Sequence, residues 1–179
     1  MELSLSDRPL GRWLFGKLPE HGDFVARGLR ADLRDALDAW LSAGMAEAAA
    51  RFGGDFEGRY FAAPAWVYVD RDPAGHWSGG ALCASVDRVG RKFPVVTGDV
   101  AEDAGHAAQV AAACLERLYA GLAQGWTADR TIDAEPSAAT LDWQVDGPAW
   151  ALIGEAGPPV VLPGRFPDGV IATMVEVAA

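Results

Sequence analysis

Three short apolar runs follow one another between two segments of helical periodicity, and this order constrains the fold more than any other feature. The runs lie at 65–69, 81–85 and 93–97, and turn-forming Gly, Pro and Asp residues separate them. Connections this short favour antiparallel neighbours over parallel strands. The sequence therefore predicts an α+β fold, a single domain over residues 1–179 with an antiparallel β-sheet flanked by α-helices.

Two helices flank these strands, because apolar residues recur there at spacings of three and four. The first begins near Leu29 and ends at the Gly53–Gly54 pair, and the second covers 104–123 with Asp103 as its N-cap. Gly44 costs the first helix about 1 kcal/mol relative to Ala, so it marks either a bend or the close approach of a neighbouring element. The order helix, strands, helix favours an α/β/α sandwich of the longin or profilin type.

The outer parts of the chain give weaker patterns. The sequence predicts a strand end or turn at 13–16, strands at 140–145 and 149–153, a proline-bounded apolar piece at 158–163, and a helix in the tail from Gly169. The polar stretch 126–138 has no assigned structure.

The charge balance narrows the classes of partner. The chain has 15 Lys and Arg against 25 Asp and Glu, and its formal charge of −10 repels nucleic acid. No stretch approaches the ~20 apolar residues that span a bilayer, and residues 1–8 lack the apolar core of a signal peptide. Cys83 and Cys114 have no neighbour at metal-ligand spacing. We therefore expect a cytoplasmic domain without cofactor, metal, nucleic-acid partner or membrane insertion.

Two patterns near the amino terminus resemble reactive sites. Residues 11–17 match the spacing of a phosphate-binding loop, but Leu18 stands where a hydroxyl residue would bind magnesium. His21 beside Asp23 is a candidate for acid–base chemistry. A hydrolase that uses Asp23, His21 and Asp87 remains an alternative, and it requires these side chains to converge.

Two further segments together resemble a known family. Residues 16–29 read GKLPEHGDFVARGL, which is similar to the opening signature of the TagF (ImpM) family, accessory proteins of the bacterial type VI secretion system. Residues 85–94 read SVDRVGRKFP, similar to a second signature of that family. We call these segments the first motif (16–29) and the second motif (85–94). The resemblance covers residues 11–100.

This resemblance implies a regulator and not an enzyme. TagF proteins act as post-translational repressors of type VI secretion, and the expected protein partner is the forkhead-associated (Fha) scaffold of the same system. An alternative is a structural or assembly component of the secretion apparatus. The resemblance leaves the oligomeric state open.

The candidate partner-binding or structural residues lie in the two motifs: Lys17, Gly22, Asp23, Arg27, Ser85, Asp87, Arg88, Gly90 and Arg91. The two aspartates are expected to orient their loops by accepting backbone N–H groups, and the two glycines to allow turns with φ > 0. The cations either present charge to a partner or tie the motifs together. The motifs are therefore either a contact surface or a signature of the fold.

Overall fold

An antiparallel sheet lies at the centre of the computed structural model, which describes residues 10–135, 140–141, 143–153 and 159–178. Seven strands occur in these residues: β1 Trp13–Gly16, β2 Val25–Arg27, β3 Trp66–Arg71, β4 Trp77–Cys83, β5 Val95–Ala101, β6 Ala149–Leu152 and β7 Val160–Pro163. Their order is β2-β1-β5-β4-β3-β6-β7, and every neighbouring pair is antiparallel. The predicted α+β class with an antiparallel sheet is confirmed.

Helices cover both faces of the sheet. The described residues form α1 Ala31–Phe52, α2 Phe56–Ala62, α3 Ala104–Gln124, α4 Ala128–Asp133 and α5 Val170–Val177. Successive side chains of a strand point to opposite faces. Trp66 and Tyr68 of β3 therefore join the core that α1, α2 and α5 cover, whereas Val67 joins the core under α3 and α4.

Both long helices are confirmed, and their ends follow the predicted chemistry. Asp103 caps α3, because its Oδ1 accepts a hydrogen bond from the backbone N–H of His106 at 2.8 Å. Gly125 ends this helix in the left-handed region, with φ of +61°. In α1, a Cβ on Gly44 would lie 3.0 Å from Cγ1 of Ile171 in α5. Glycine at this position marks the close approach of two helices.

The middle strand of the predicted set begins earlier than its apolar run. Gly79 and Gly80 precede the predicted strand at 81–85, yet both lie inside β4. A Cβ on Gly79 would meet the backbone of Ala107 in α3, and a Cβ on Gly80 would meet the ring of Tyr68. Bare backbone at these two positions lets a helix and an aromatic ring lie against opposite faces of the strand.

The predicted strand at 140–145 is wrong. Residues 140, 141 and 143–145 are not part of a strand, and Asp142 lies outside the described residues. Trp143 and Val145 pack as loop residues against the core on the α3 face. Their alternating apolar pattern therefore reflects packing against the core and not hydrogen bonding to a neighbouring strand. The interpretation of residues 1–8 also lies outside the described residues.

Three short elements carry no sequence signal strong enough to predict them. β2 has three residues and α4 has six, so neither is long enough for its apolar pattern to repeat twice. α2 follows Gly53–Gly54 directly and contains Gly58, which obscures its helical pattern. In the part of the chain that is described, no helix combines the length and apolar character that crossing a bilayer requires.

Candidate functional site

The two motifs begin at the same end of the sheet. Gly16 at the end of β1 pairs with Val95 of β5, and Val95 in turn pairs with Cys83 at the end of β4. Gly16 has φ of +130°, and a Cβ there would collide with the carbonyl oxygen of Pro94. The glycine that opens the first motif is therefore required by the close contact with the last residue of the second.

Hydrogen bonds join the two motifs along their length. The backbone N–H of Arg88 donates to the carbonyl oxygen of His21 at 2.8 Å. The Ser85 hydroxyl, which is buried, donates to the carbonyl oxygen of Lys17 at 2.7 Å. The two motifs therefore form one structural unit, although 68 positions separate Lys17 from Ser85.

A buried ionic cluster fixes the base of this unit. The carboxylate of Asp87 has no exposed surface, and its Oδ2 lies 3.0 Å from Nζ of Lys17 and 2.6 Å from Nε of Arg91. Its Oδ1 accepts the backbone N–H groups of Val89 at 3.1 Å and Arg91 at 2.9 Å. Arg91 also donates through Nη2 to the carbonyl oxygen of Gly22 at 2.7 Å, which ties the second motif to the first.

The cluster keeps Asp87 ionised. Burial alone would raise the pKa of this carboxyl, but the backbone N–H of Arg91 and the side chains of Lys17 and Arg91 together hold the pKa below its ordinary value. A carboxylate that accepts several charge-assisted hydrogen bonds has little tendency to take up a proton. Asp87 therefore serves to position the loops and is poorly suited to proton transfer.

Other candidate residues do not tie the motifs together. Asp23 accepts the backbone N–H of its own neighbour Phe24 at 2.8 Å. Arg27 is directed to α4, where its Nε lies 2.6 Å from Oδ1 of Asp129. Among the described glycines with positive φ, Gly90 is present at +85° and Gly22 is not. The predicted turn with positive φ is therefore confirmed for Gly90 and wrong for Gly22.

The three side chains of the hydrolase alternative are bound to different partners. Nε2 of His21 accepts the backbone N–H of Ala128 at 3.0 Å. Asp23 caps its own loop, and Asp87 is held by the buried cluster. Within the described residues, no hydrogen bond links any two of these side chains, so they do not form an acid–base set. The same part of the chain holds no group of three His, Cys, Asp or Glu residues able to bind a metal ion.

Tyr60 is a motif partner that the sequence did not indicate. Its buried hydroxyl donates to the carbonyl oxygen of Ser85 and accepts the N–H of the same residue, both at 3.1 Å. The phenol therefore satisfies both backbone groups at the start of the second motif. Tyr60 lies in α2, so recognising it would have required predicting that short helix.

The phenylalanines of the two motifs also meet. The rings of Phe24 and Phe93 lie 4.7 Å apart in an edge-to-face arrangement, and Phe15 of β1 packs against both. Nζ of Lys17 lies 4.9 Å from the centre of the Phe24 ring. The ammonium group therefore contacts both the buried carboxylate and an aromatic ring that is partly exposed.

The tip of the second motif is exposed above this fixed base. Val89 is 71% exposed, and the adjacent Arg88 binds the carbonyl oxygen of Glu20 through its guanidinium. Phe61 of α2 is 54% exposed, and Nζ of Lys92 lies 5.5 Å from its ring centre. The exposed Val89 and Arg88 thus stand on a base whose conformation is held by buried ionic and hydrogen bonds.

Comparisons with known proteins agree with the resemblance of the motifs. The sequence model of a family described as the TagF N-terminal domain, type VI secretion system-associated, matches residues 13–145. No curated protein matches the chain. The crystal structure of PA0076 from Pseudomonas aeruginosa PAO1 is similar, with a TM-score of 0.65 and 20% identity over 92% of this chain and 93% of that one. At this identity the likeness shows a shared fold.

Proposed function

The chain belongs to the TagF N-terminal domain family, which is associated with the type VI secretion system, and from that premise we propose that it is a non-enzymatic cytoplasmic regulator that binds another protein of the system. The observation that carries the proposal is the exposed tip of the second motif on its buried ionic base. A loop that is rigid before binding loses little conformational entropy when a partner docks.

The proposed partner is the forkhead-associated scaffold of the secretion system, and the proposed effect is repression of secretion. The motif resemblance supports this partner. The local charge also supports a specific contact, because the exposed Arg88 places a positive charge at the tip of the second motif on a chain with a formal charge of −10. Such a charge attracts an acidic segment of a partner, while the rest of the protein repels it.

Four of the nine candidate residues take one of two proposed roles, and Val89, which is not among the nine, joins the second. Lys17, Asp87 and Arg91 hold the motifs together, since their ionic contacts are buried or directed inward. Arg88 and Val89 form the contact surface, since they lie at the exposed tip. The motifs are thus both a signature of the fold and the support of a binding site.

The test measures binding of the purified scaffold to the wild-type chain and to Val89→Asp by biolayer interferometry. A buried charge at the centre of an interface should weaken binding at least about tenfold. Val177→Asp is the matched control, because Val177 is 51% exposed and lies in α5, outside both motifs. Both variants should keep the wild-type melting temperature, since both side chains are exposed.

Two results would overturn the proposal. One is the absence of scaffold binding by the wild-type chain. The other is equal binding by Val89→Asp and Val177→Asp, which would place the contact elsewhere. Co-sedimentation of the wild-type chain with assembled sheath or baseplate, without scaffold binding, would instead favour a structural component of the apparatus.

We also propose that residues 1–179 form one TagF-like domain. The family match ends at residue 145, but β6 and β7 extend the same sheet and α5 packs against α1. These later elements contribute to the core that α1 and α2 share. Limited proteolysis that released a stable fragment ending near residue 145 would contradict this proposal.

A further inference from the structure

A cavity lies at the opposite end of the sheet from the motifs, on the face that α1 covers. Its floor follows the strand register, in which Asp70 of β3 pairs with Ser78 of β4 and Ser78 with Val100 of β5. In the next row on the same face, Tyr68 faces Gly80, and a Cβ on that glycine would occupy the position of the ring. The glycine therefore lets the aromatic ring lie flat and leaves room above the floor.

The walls of the cavity are mostly aromatic. Trp13, Tyr68, Trp77, Trp150 and Phe166 line it, and they come from different strands and from the loop after β7. The volume of the cavity is about 50 Å³. Since one water molecule needs about 10–15 Å³ of such space, the cavity has room for a group of a few heavy atoms.

One buried acceptor in this lining is unsatisfied. Asp70 is 8% exposed, and its Oδ2 lies 2.9 Å from Nε of Arg165. Its Oδ1 has no hydrogen-bond partner among the described residues. Burial raises the pKa of the Asp70 carboxyl, and the charge of Arg165 offsets only part of that effect. A further donor at this carboxylate would remove the cost of an unmade hydrogen bond.

The other charged groups of the lining already have partners. Asp72 lies 3.0 Å from Nδ1 of His76, and Arg30 lies 3.2 Å from Asp32. Arg165 is the ion-pair partner of Asp70.

Two buried polar atoms of the lining make no hydrogen bond among the described residues, Oδ1 of Asp70 and Nε of Arg165, although Nε of Arg165 lies 2.9 Å from Oδ2 of Asp70. The rings of Trp77 and Phe166 already lie against the guanidinium groups of Arg71 and Arg165, which shows that these walls accept a cation. A ligand with a cationic donor would fill the free acceptor position of Asp70.

We propose that this cavity binds a cationic nitrogen group on a short apolar stem, an alkylammonium or alkylguanidinium, with Asp70 as the acceptor and the aromatic residues as the walls. Such a group occurs in free amines and in lysine or arginine side chains of proteins. The site is separate from the motifs, so its existence does not depend on the scaffold contact.

The experiment titrates the whole chain with butylammonium and follows the indole N–H signals of its tryptophans by NMR. Saturable shifts are expected with butylammonium, whereas butanol and butyrate, which match its stem without its charge, should give none. Asp70→Asn should weaken binding at least about tenfold, because the charge-assisted hydrogen bond is lost. Asp129→Asn is the matched control, since Asp129 also pairs with an arginine but lies in α4, outside the cavity lining.

A second variant tests the cavity independently, in case Asp70→Asn does not fold. Val100 lines the cavity and is 38% exposed, so Val100→Trp can fill the space with little burden on the core. This variant should also abolish the shifts. Absence of saturable shifts in the wild-type chain, equal binding of butanol, or unchanged binding by Val100→Trp would each overturn the proposal. If N-acetyl-lysine methylamide binds better than butylammonium, the source is a protein side chain; if it binds more weakly, the source is a free amine.

Discussion

Each end of the sheet buries an aspartate beside an arginine, yet the two carboxylates have different surroundings. At the motif end, Asp87 receives Lys17, Arg91 and two backbone N–H groups, and its pKa is lowered. At the cavity end, Asp70 has Arg165 at one oxygen and no hydrogen-bond partner among the described residues at the other, and its pKa is raised. Two buried aspartates therefore have pKa values shifted in opposite directions, because Asp87 receives more hydrogen-bond donors than Asp70.

The comparison separates a structural ion cluster from a site open to a ligand. A carboxylate whose acceptor positions are filled stabilises the segments that fill them and has no capacity for another group. A carboxylate with an empty acceptor position lacks that compensation until something binds. The same residue type thus points to fold stability at one end of the sheet and to recognition at the other.

The largest effect is expected from Lys17→Met, which keeps the length of the side chain and removes its charge. Asp87 would stay buried with only the half-exposed Arg91 as a cationic partner, and the free energy of unfolding should fall by about 3 kcal/mol. Lys92→Met is the control, because Lys92 pairs with the exposed Glu57 and should contribute less than about 1 kcal/mol. Urea denaturation measures both. Equal losses of unfolding free energy in the two variants would show that the buried Lys17–Asp87 pair contributes no more to stability than the exposed Lys92–Glu57 pair.

A smaller loss is expected when the hydroxyl of Tyr60 is removed. Tyr60→Phe leaves the N–H of Ser85 buried without a partner, while the carbonyl oxygen of Ser85 keeps the backbone N–H of Phe93, and the loss should cost about 2 kcal/mol. Tyr68→Phe at the cavity end should cost less than about 1 kcal/mol, since that hydroxyl makes one long bond of 3.4 Å to Thr97. Thermal unfolding of the two variants side by side checks the order. The reverse order would contradict the view that the motif end is the more tightly bonded.

Lowering the pH should change the contributions of the two aspartates to folding stability in opposite directions. The folded pKa of Asp87 is below the ordinary value of about 4, so its stabilising contribution is complete above that pH and is lost as the pH falls below it. The folded pKa of Asp70 is raised, so the folded chain takes up this proton before the unfolded chain does, and falling pH removes an unfavourable charge.

Denaturation between about pH 6 and pH 3 tests these signs. The difference in unfolding free energy between the wild type and Asp87→Asn should narrow as the pH falls. For Asp70→Asn, the wild type should become more stable relative to the variant as the pH falls. If the difference in unfolding free energy from the wild type changed with pH in the same way for both variants, the two aspartates would not have opposite pKa shifts.

The smallest effect is expected from Arg27→Ala. Its pair with Asp129 is exposed, so the free energy of unfolding should change by less than about 1 kcal/mol, and by less still in high salt. The comparison with Lys17→Met is informative because both cations belong to the first motif. A loss from Arg27→Ala as large as that from Lys17→Met would mean that α4 contributes more to the motif unit than its contacts indicate.

The sequence was informative where a local pattern determines the structure. The apolar repeats predicted α1 and α3, and Asp103 was recognised as a cap because capping involves residues three apart. The two motifs could be recognised as segments, and their lysine, aspartate and arginine were expected either to tie them together or to meet a partner. The contact between Lys17 and Asp87 could not be predicted, because the two residues meet through a strand pairing that local patterns do not specify.

The cavity could not be predicted from the sequence, because its lining comes from many distant segments. Asp70 lies near the end of β3, and nothing near it in the chain indicates Arg165 as its partner. Tyr60 was missed for a related reason, since α2 is too short for its periodicity to stand out. Contacts between distant segments depend on the register of the whole sheet.

The order of the strands also has a consequence for how the chain is made. β1 is synthesised before its inner neighbour β5, so it lacks that partner until the intervening strands have been made. Lys17 is therefore synthesised 68 positions before Ser85, and over this interval the first motif has no second motif to bind. Closure of the motif unit is a late and non-local event in folding, and such contacts form slowly. A nascent chain that stops before the second motif cannot complete the unit, so the joined motifs mark that synthesis has passed residue 94.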